Sequence, residues 1–137
     1  MYDLFISYSR RDGAFVDRVD NALAATGRAV WMDRERIAPT AEWLAEIQAG
    51  IEDSNTFVFV VSPESLASEM CLLELNHATA HGKRILPVLH RPADSSTIPD
   101  DLGRRQWIEF GESDDFDRSL AALDAALDVD VEWQRGL

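Results

Sequence analysis

The feature that most constrains the fold of this chain is the uninterrupted apolar run Phe57–Val61. A strand with one face in water alternates apolar and polar residues, whereas a parallel strand covered on both faces is apolar throughout. Ser62 and Pro63 follow the run and are typical of a turn. We therefore predict a fully buried strand in a parallel sheet that is covered by helices on both faces.

Strand and helix patterns alternate along the rest of the chain. The predicted strands are Tyr2–Tyr8, Ala29–Met32, Phe57–Val61, Arg84–Leu89 and Gln106–Phe110. Helices are predicted to begin at Asp12, Thr40, about Met70 and Ser113, and the polar stretch His90–Arg105 is predicted to be a long loop. Strands that alternate with helices form parallel βαβ units. We expect an α/β fold of the flavodoxin-like kind, a three-layer sandwich with a five-stranded parallel sheet in the order 2-1-3-4-5.

The bulk composition fits one globular domain. The chain has 137 residues, of which 46% are apolar and 28% are charged, and this is enough for a single core. We expect residues 1–128 to form the domain and residues 129–137 to be a C-terminal tail or a linker to a fused domain. No run approaches the roughly 18 apolar residues of a membrane span. Met1 leads directly into a strand-like segment, so no secretory signal is expected.

Charge and cysteine content narrow the choice of partner and compartment. The formal net charge of −12 argues against nucleic acid or an anionic membrane as the main partner. Cys71 is the only cysteine, which excludes an intramolecular disulfide and fits the reducing cytoplasm. We therefore expect a cytoplasmic protein that binds neither nucleic acid nor membrane.

Basic residues collect after the predicted strands, although the chain as a whole is acidic. They are Arg10 and Arg11 after the first strand, Arg34 and Arg36 after the second, and Arg91 after the fourth. Ligands of open parallel sheets bind outside the carboxyl ends of the strands, at the point where the strand order reverses. In the order 2-1-3-4-5, that point lies between strands 1 and 3. Either these cations accept an anionic ligand there, or they are ordinary surface charge.

Glu74 is the candidate acidic residue at the same edge, because it lies within the apolar segment Met70–Leu75. A carboxylate in such a setting either turns towards water or is desolvated for a functional reason. A metal site formed by Glu74, His77 and His81 is the less favoured reading beside a solvated helix face, so no metal is expected. Cys71 and His77 are off a shared helix face, which favours a structural cysteine over a nucleophile. No phosphate-binding glycine loop or nucleophile elbow is present.

Several ordered motifs together resemble the TIR (Toll/interleukin receptor) domain of the bacterial type. The segments that carry the resemblance are Tyr2–Asp12, Trp31–Asp33, Arg36–Pro39, Ser62–Leu75 and Trp107–Phe110. The resemblance extends over nearly the whole chain, from Tyr2 to Asp128. Two positions differ from the usual family pattern: Met70 stands where a tryptophan is common, and Ala38-Pro39-Thr40 replaces a Pro-Gly turn.

The resemblance implies an activity and a set of site residues. Many TIR domains of this kind hydrolyse NAD⁺ to nicotinamide and ADP-ribose or a cyclic form of it, in signalling or anti-phage defence. It implies that Glu74 is the catalytic residue, and that the substrate is bound by Arg10, Ser9, Asp33, Arg34, Ser68, Met70 and Cys71. NAD⁺ is the substrate and no cofactor is expected. The family also self-associates through TIR–TIR contacts, so the alternative is a non-catalytic interaction module, which Met70 mildly favours.

Overall fold

A computed structural model of the protein describes residues 1–32, 40–111 and 113–136. Within these residues the chain forms one five-stranded parallel sheet in the order β2-β1-β3-β4-β5. The strands are β1 (Tyr2–Ser7), β2 (Val30–Trp31), β3 (Ser54–Val61), β4 (Arg84–Leu89) and β5 (Ile108–Glu109). The predicted order and the parallel α/β class are confirmed, and the bounds of β4 agree with the prediction.

Helices of very different lengths follow the strands. They are α1 (Gly13–Ala25), α2 (Ala41–Glu52), α3 (Pro63–Leu66), α4 (Glu69–Ala80), α5 (Asp100–Gly103) and α6 (Phe116–Gly136). The predicted loop His90–Arg105 therefore contains structure of its own, namely α5 and a 3-10 turn at Ser95–Thr97. The last helix also continues to Gly136, so the segment predicted as a tail begins inside α6. The division of the chain at residue 128 stays a prediction.

The central strands are covered on both faces, as the apolar run Phe57–Val61 predicts. One core cluster includes Leu4 and Val58 from the sheet, Leu23 from α1 and Leu123 from α6. The other includes Phe5, Phe57 and Phe59 from the sheet, Ile47 and Ile51 from α2, and Cys71 and Leu75 from α4. Alternate residues of β1 and β3 thus enter opposite layers, which is why Leu4–Ile6 of β1 and Phe57–Val61 of β3 are apolar without interruption. No helix in the described part of the chain has the length and apolar character needed to cross a membrane.

Short polar side chains begin several helices. Thr40 accepts a hydrogen bond from the backbone nitrogen of Trp43 at 3.1 Å, which confirms the predicted start of α2. The predicted start at Asp12 is also confirmed, since α1 begins at Gly13, but Asp12 makes no side-chain capping bond to the helix. The predicted start at Ser113 is wrong, because α6 begins at Phe116 and the carboxylate of Asp115 accepts from its first turn. Gly27 and Gly82 have positive φ angles of 89° and 67°, as expected where helices α1 and α4 end.

Trp31 seals the edge of the sheet against helix α2. Its ring stacks on Phe5 with centroids 4.8 Å apart and planes 9° from parallel. On the other side it lies against Gly50, where an added Cβ would come within 2.7 Å of the indole ring. This contact explains a glycine in the interior of a helix, where alanine would otherwise be favoured by about 1 kcal/mol.

We predict that Gly50→Ala destabilises the protein by about 1–2 kcal/mol, because the overpacked indole outweighs the gain in helix propensity. Gly13→Ala in the first turn of α1 is the matched control, since a Cβ there meets nothing within 4 Å. Urea unfolding of both variants measures the difference. A Gly50→Ala protein as stable as Gly13→Ala would contradict the packing described for Trp31.

Candidate active site

Buried polar residues lie at or just beyond the carboxyl ends of the central strands. Among them are Ser7, Asp12, Ser62 and Glu74, each with 2% or less of its surface exposed. A buried polar group is costly unless another polar group contacts it. The contacts of these residues therefore show how the edge is built, and they divide into two groups.

The first group is the pair formed by Ser7 and Glu74. The hydroxyl of Ser7, the last residue of β1, donates a hydrogen bond to Oε1 of Glu74 at 2.7 Å. The second carboxylate oxygen, Oε2, is enclosed as well. The pair joins β1 to α4 across 67 residues of sequence. It places Glu74 at the predicted edge of the sheet. Only 2% of the surface of Glu74 is exposed, so the carboxylate is buried and does not turn towards water.

The start of α4 determines why Glu74 turns inward. Ser68 caps the helix by accepting from the backbone nitrogen of Cys71 at 3.2 Å. From that start, the buried residues of α4 are Cys71, Glu74, Leu75 and Ala78. Their spacing of three and four residues is that of one helix face. Glu74 is the single ionisable carboxylate in a stripe that otherwise packs against the sheet, so its burial follows from the phase of the helix.

The second group is an ion-pair network around Asp12. Ser62 donates to Oδ2 of Asp12 at 2.6 Å, and Arg91 donates to Oδ1 through Nε at 3.0 Å and Nη2 at 2.8 Å. Arg91 also contacts the Glu64 carboxylate at 2.6 Å. The network ties the segment after β1 to those after β3 and β4. This role is not apparent from the sequence, in which Asp12 fits the pattern of a helix cap.

Arg91 therefore contributes less free positive charge to the edge than its position after β4 suggests. Its hydrogen bond to Glu64 is the main cause that raises the pKa of the Arg91 guanidinium. The same hydrogen bond lowers the pKa of the Glu64 carboxyl below its ordinary value of 4.5. Both groups stay charged near neutral pH, and they serve the structure of the edge.

The other predicted site residues lie at different depths. Arg10 is exposed in the 3-10 turn Arg10–Asp12, and partly buried Ser9 caps that turn. Ser68 and Met70 are partly buried at the start of α4. Cys71 is fully buried in the core, as expected for a structural cysteine, so its part in the site stays a prediction. Asp33 and Arg34 lie outside the described residues.

Two further features concern ligands. Glu74 contacts Ser7, whereas His77 and His81 lie against Glu52, so the three residues considered from the sequence as a metal site do not meet. A cavity of about 720 Å³ is lined by residues of the β4–β5 connection, among them Ile98, Pro99 and Trp107. None of the predicted site residues that the structure describes lines this cavity. Ser7 is the residue that the sequence analysis missed; the polar pattern Ser-Tyr-Ser after an apolar strand was its signal.

Comparison with known proteins agrees with this fold. A family model described as "TIR domain" matches residues 4–123, whereas no curated protein matches the sequence. The TIR domain of the Toll-related receptor TRR-2 from Hydra magnipapillata is 22% identical, with a TM-score of 0.69 over 80% of this chain and 85% of that chain. The TIR domains of the activated Roq1 resistosome, which recognises the pathogen effector XopQ, are 19% identical, with a TM-score of 0.71 over 93% and 99%.

A third similar structure is the heterodimer of the RPS4 and RRS1 TIR domains. It is 16% identical, with a TM-score of 0.68, and the match covers 93% of this chain and 96% of that chain. At these identities the structural likeness establishes the fold.

We predict that Glu64 makes the fold sensitive to acid. Because its pKa is lowered in the folded state, its contribution to stability is complete above pH 4.5 and is lost as the pH falls through the folded pKa. Urea unfolding at several values between about pH 6 and about pH 3 should show the stability gap between wild type and Glu64→Gln closing as the pH falls. Glu46→Gln, at an exposed position on α2, is the control. A gap that does not change with pH would contradict the role of Arg91.

Proposed function

This chain belongs to the TIR domain family, and we propose that it is an NAD⁺ glycohydrolase of the bacterial type, with Glu74 as its catalytic carboxylate. The observation that carries the proposal is the hydrogen bond between Ser7 and Glu74, 2.7 Å long and buried. It holds a carboxylate at the carboxyl end of β1, at the edge where ligands of such sheets bind. The residue is also the glutamate of the family's Ser-x-x-Cys-x-x-Glu motif, formed here by Ser68, Cys71 and Glu74.

One carboxylate is sufficient for this reaction because of the leaving group. Attached nicotinamide is a pyridinium cation, and when its bond to ribose C1′ breaks, the electron pair returns to the ring nitrogen. Nicotinamide therefore departs neutral and needs no general acid, unlike the sugar alcohol of an ordinary glycoside. The positive charge passes to the ribose as an oxocarbenium ion. A nearby carboxylate in a water-poor site stabilises that charge strongly.

Ser7 is proposed to orient the carboxylate. The oxocarbenium ion can then react to give either of two products, one linear and one cyclic. A water molecule that adds at C1′ and loses a proton gives ADP-ribose, whereas attack by a nucleophile of the same dinucleotide gives a cyclic product. Arg10, exposed in the turn after Ser7, is proposed to bind the pyrophosphate. Ser9, Ser68 and Met70 are proposed to line the substrate, with Asp33 and Arg34 as further contacts predicted from the family.

Self-assembly fits the burial of Glu74. A dinucleotide reaches a side chain that is 2% exposed only if neighbouring residues move, and contact with a second copy supplies a reason for such movement. The RPS4 and RRS1 TIR domains are described as a heterodimer, which supports TIR–TIR contact as a partner mode here. We therefore propose a cytoplasmic signalling or defence enzyme that is active when copies assemble, with no metal or cofactor beyond NAD⁺ as substrate.

The second candidate function is a non-catalytic TIR–TIR interaction module. The same hydrogen bond favours it, because a buried glutamate that joins β1 to α4 has a structural role whether or not it meets a substrate. Met70 at the place of the family's tryptophan points the same way. The two candidates differ in one observable: self-association without release of nicotinamide supports the module, whereas nicotinamide release that rises steeply with protein concentration supports the assembled enzyme.

We predict that Glu74→Gln lowers the rate of nicotinamide release by at least about 100-fold, because the amide can still accept from Ser7 but carries no charge. Chromatography of nicotinamide from concentrated protein and NAD⁺ measures the rate. Glu69→Gln is the matched control, since it is exposed on the same helix, and it should keep wild-type activity. Retained activity in Glu74→Gln would remove the residue assignment, and no turnover by wild type in any assembled state would remove the function.

We also predict that Ser7→Ala lowers kcat about tenfold with little change in KM, because the carboxylate loses the group that orients it. Ser54→Ala is the matched control. Its hydroxyl is equally buried and donates to the carbonyl of Gly50 at 2.7 Å, but it lies at the opposite end of the sheet. Both variants should lose roughly 1 kcal/mol of stability. Equal loss of kcat in the two would show that Ser7 acts through stability alone.

A further inference from the structure

Glu52, His77 and His81 form a cluster of ligand atoms where helices α2 and α4 meet. Glu52 is the last residue of α2, His77 lies in the last turn of α4, and His81 is the residue that follows α4. Nε2 of His77 lies 2.8 Å from Oε2 of Glu52, and Nε2 of His81 lies 3.9 Å from the same oxygen. The three ligand atoms lie within 4.8 Å of one another. Two imidazoles and a carboxylate thus converge on one point.

The hydrogen bonds of His81 leave the correct ring nitrogen directed at the cluster. Its Nδ1 lies 2.9 Å from the backbone carbonyl of His77, which can only accept. Nδ1 therefore carries a proton, and in the neutral imidazole Nε2 is the atom with the lone pair. Histidines that bind metal are held in this way, with the second nitrogen donating to a carbonyl or carboxylate. The ring is oriented for a ligand before any ligand arrives.

The spacing also fits a tetrahedral ion. Bonds of about 2.0–2.1 Å hold neighbouring ligand atoms of such an ion about 3.3 Å apart. The distances from Oε2 of Glu52 to Nε2 of His77 and Nε2 of His81, 2.8 Å and 3.9 Å, fall on either side of that value. A metal ion would replace the proton shared by His77 and Glu52 and draw His81 inward. Side chains with 18%, 43% and 48% exposure can make that adjustment.

We propose that Glu52, His77 and His81 bind a divalent first-row transition ion, with Zn²⁺ as the expected occupant. Imidazole nitrogens suit such ions and are poor ligands for Mg²⁺ or Ca²⁺. Three protein ligands leave a fourth position for water or for a ligand from another molecule. Glu52 replaces Glu74 as the carboxylate that the sequence analysis considered beside His77 and His81.

The bound ion would fasten the end of α2 to α4. Glu74 is on the buried face of the same helix, three residues before His77, so the ion would stiffen the element that carries the candidate catalytic residue. The site itself does not depend on that activity. Lys83 donates to the backbone carbonyl of Glu52 at 2.7 Å, and its positive charge beside the cluster limits the affinity for a cation.

The test is titration of untagged, chelator-treated protein with ZnCl₂ in a non-coordinating buffer, followed by calorimetry and by thermal unfolding. We expect one Zn²⁺ per chain and an unfolding midpoint that rises with Zn²⁺ but not with MgCl₂. His81→Gln, at an exposed position, should weaken Zn²⁺ binding at least tenfold, and Glu52→Gln should do the same. Neither readout requires NAD⁺ turnover, so failure here is distinct from failure of the proposed function.

His90→Gln is the matched control, because His90 is the remaining histidine of the chain and stacks on Phe15 with centroids 3.8 Å apart. It should bind Zn²⁺ as wild type does. Undetectable Zn²⁺ binding by wild type would overturn the proposal. So would Zn²⁺ binding that His81→Gln and Glu52→Gln leave unchanged, because the ion would then lie elsewhere on this acidic surface.

Discussion

The structure depends on the parallel pairing of β1 with β3 at the centre of the sheet. The register places Phe5 beside Phe57 and Ser7 beside Phe59, so apolar residues of both strands fill both layers. Since the strands are parallel, their polar continuations emerge at one edge, and this is where Ser7, Asp12, Ser62 and Glu74 are buried. Without that pairing, the residues that form the candidate site would have no common location.

The edge holds two buried carboxylates that are stabilised in different ways. Asp12 accepts hydrogen bonds from the charged guanidinium of Arg91 and from the hydroxyl of Ser62. Its negative charge is therefore paired and its position is fixed. The described contact to Glu74 comes from the neutral hydroxyl of Ser7. A hydroxyl orients a carboxylate without forming an ion pair with it. The ion pair with Arg91 therefore gives Asp12 a structural role at the edge, and the hydroxyl of Ser7 orients the side chain of Glu74.

Local sequence patterns predicted the strands and helices. They did not predict the partners of the buried polar residues, because those partners are distant in the sequence. The strands at Phe57–Val61 and Arg84–Leu89 are apparent from the sequence because buried strands consist mainly of apolar residues. The cap of α2 is apparent because Thr40 bonds to a residue only three positions away. Asp12 resembles Thr40 in its local sequence, since both precede a helix. Its partner Arg91, however, is 79 residues away, and no local sequence pattern predicts that contact. The apolar neighbours of Glu74 predicted its placement at the edge, whereas its partner Ser7 required the fold. The contact between Glu52 and His77 likewise joins residues 25 positions apart, so it was not predicted from the sequence.

The most direct test of the proposed role of Glu74 is a structure of the Glu74→Gln protein, assembled at high concentration, with NAD⁺ bound. We expect the ribose attached to nicotinamide to lie against residue 74, with Ser7 still donating to that side chain and Arg10 near the pyrophosphate. A dinucleotide bound elsewhere, with residue 74 still enclosed between β1 and α4, would contradict the central claim that this buried carboxylate is the group that meets the substrate.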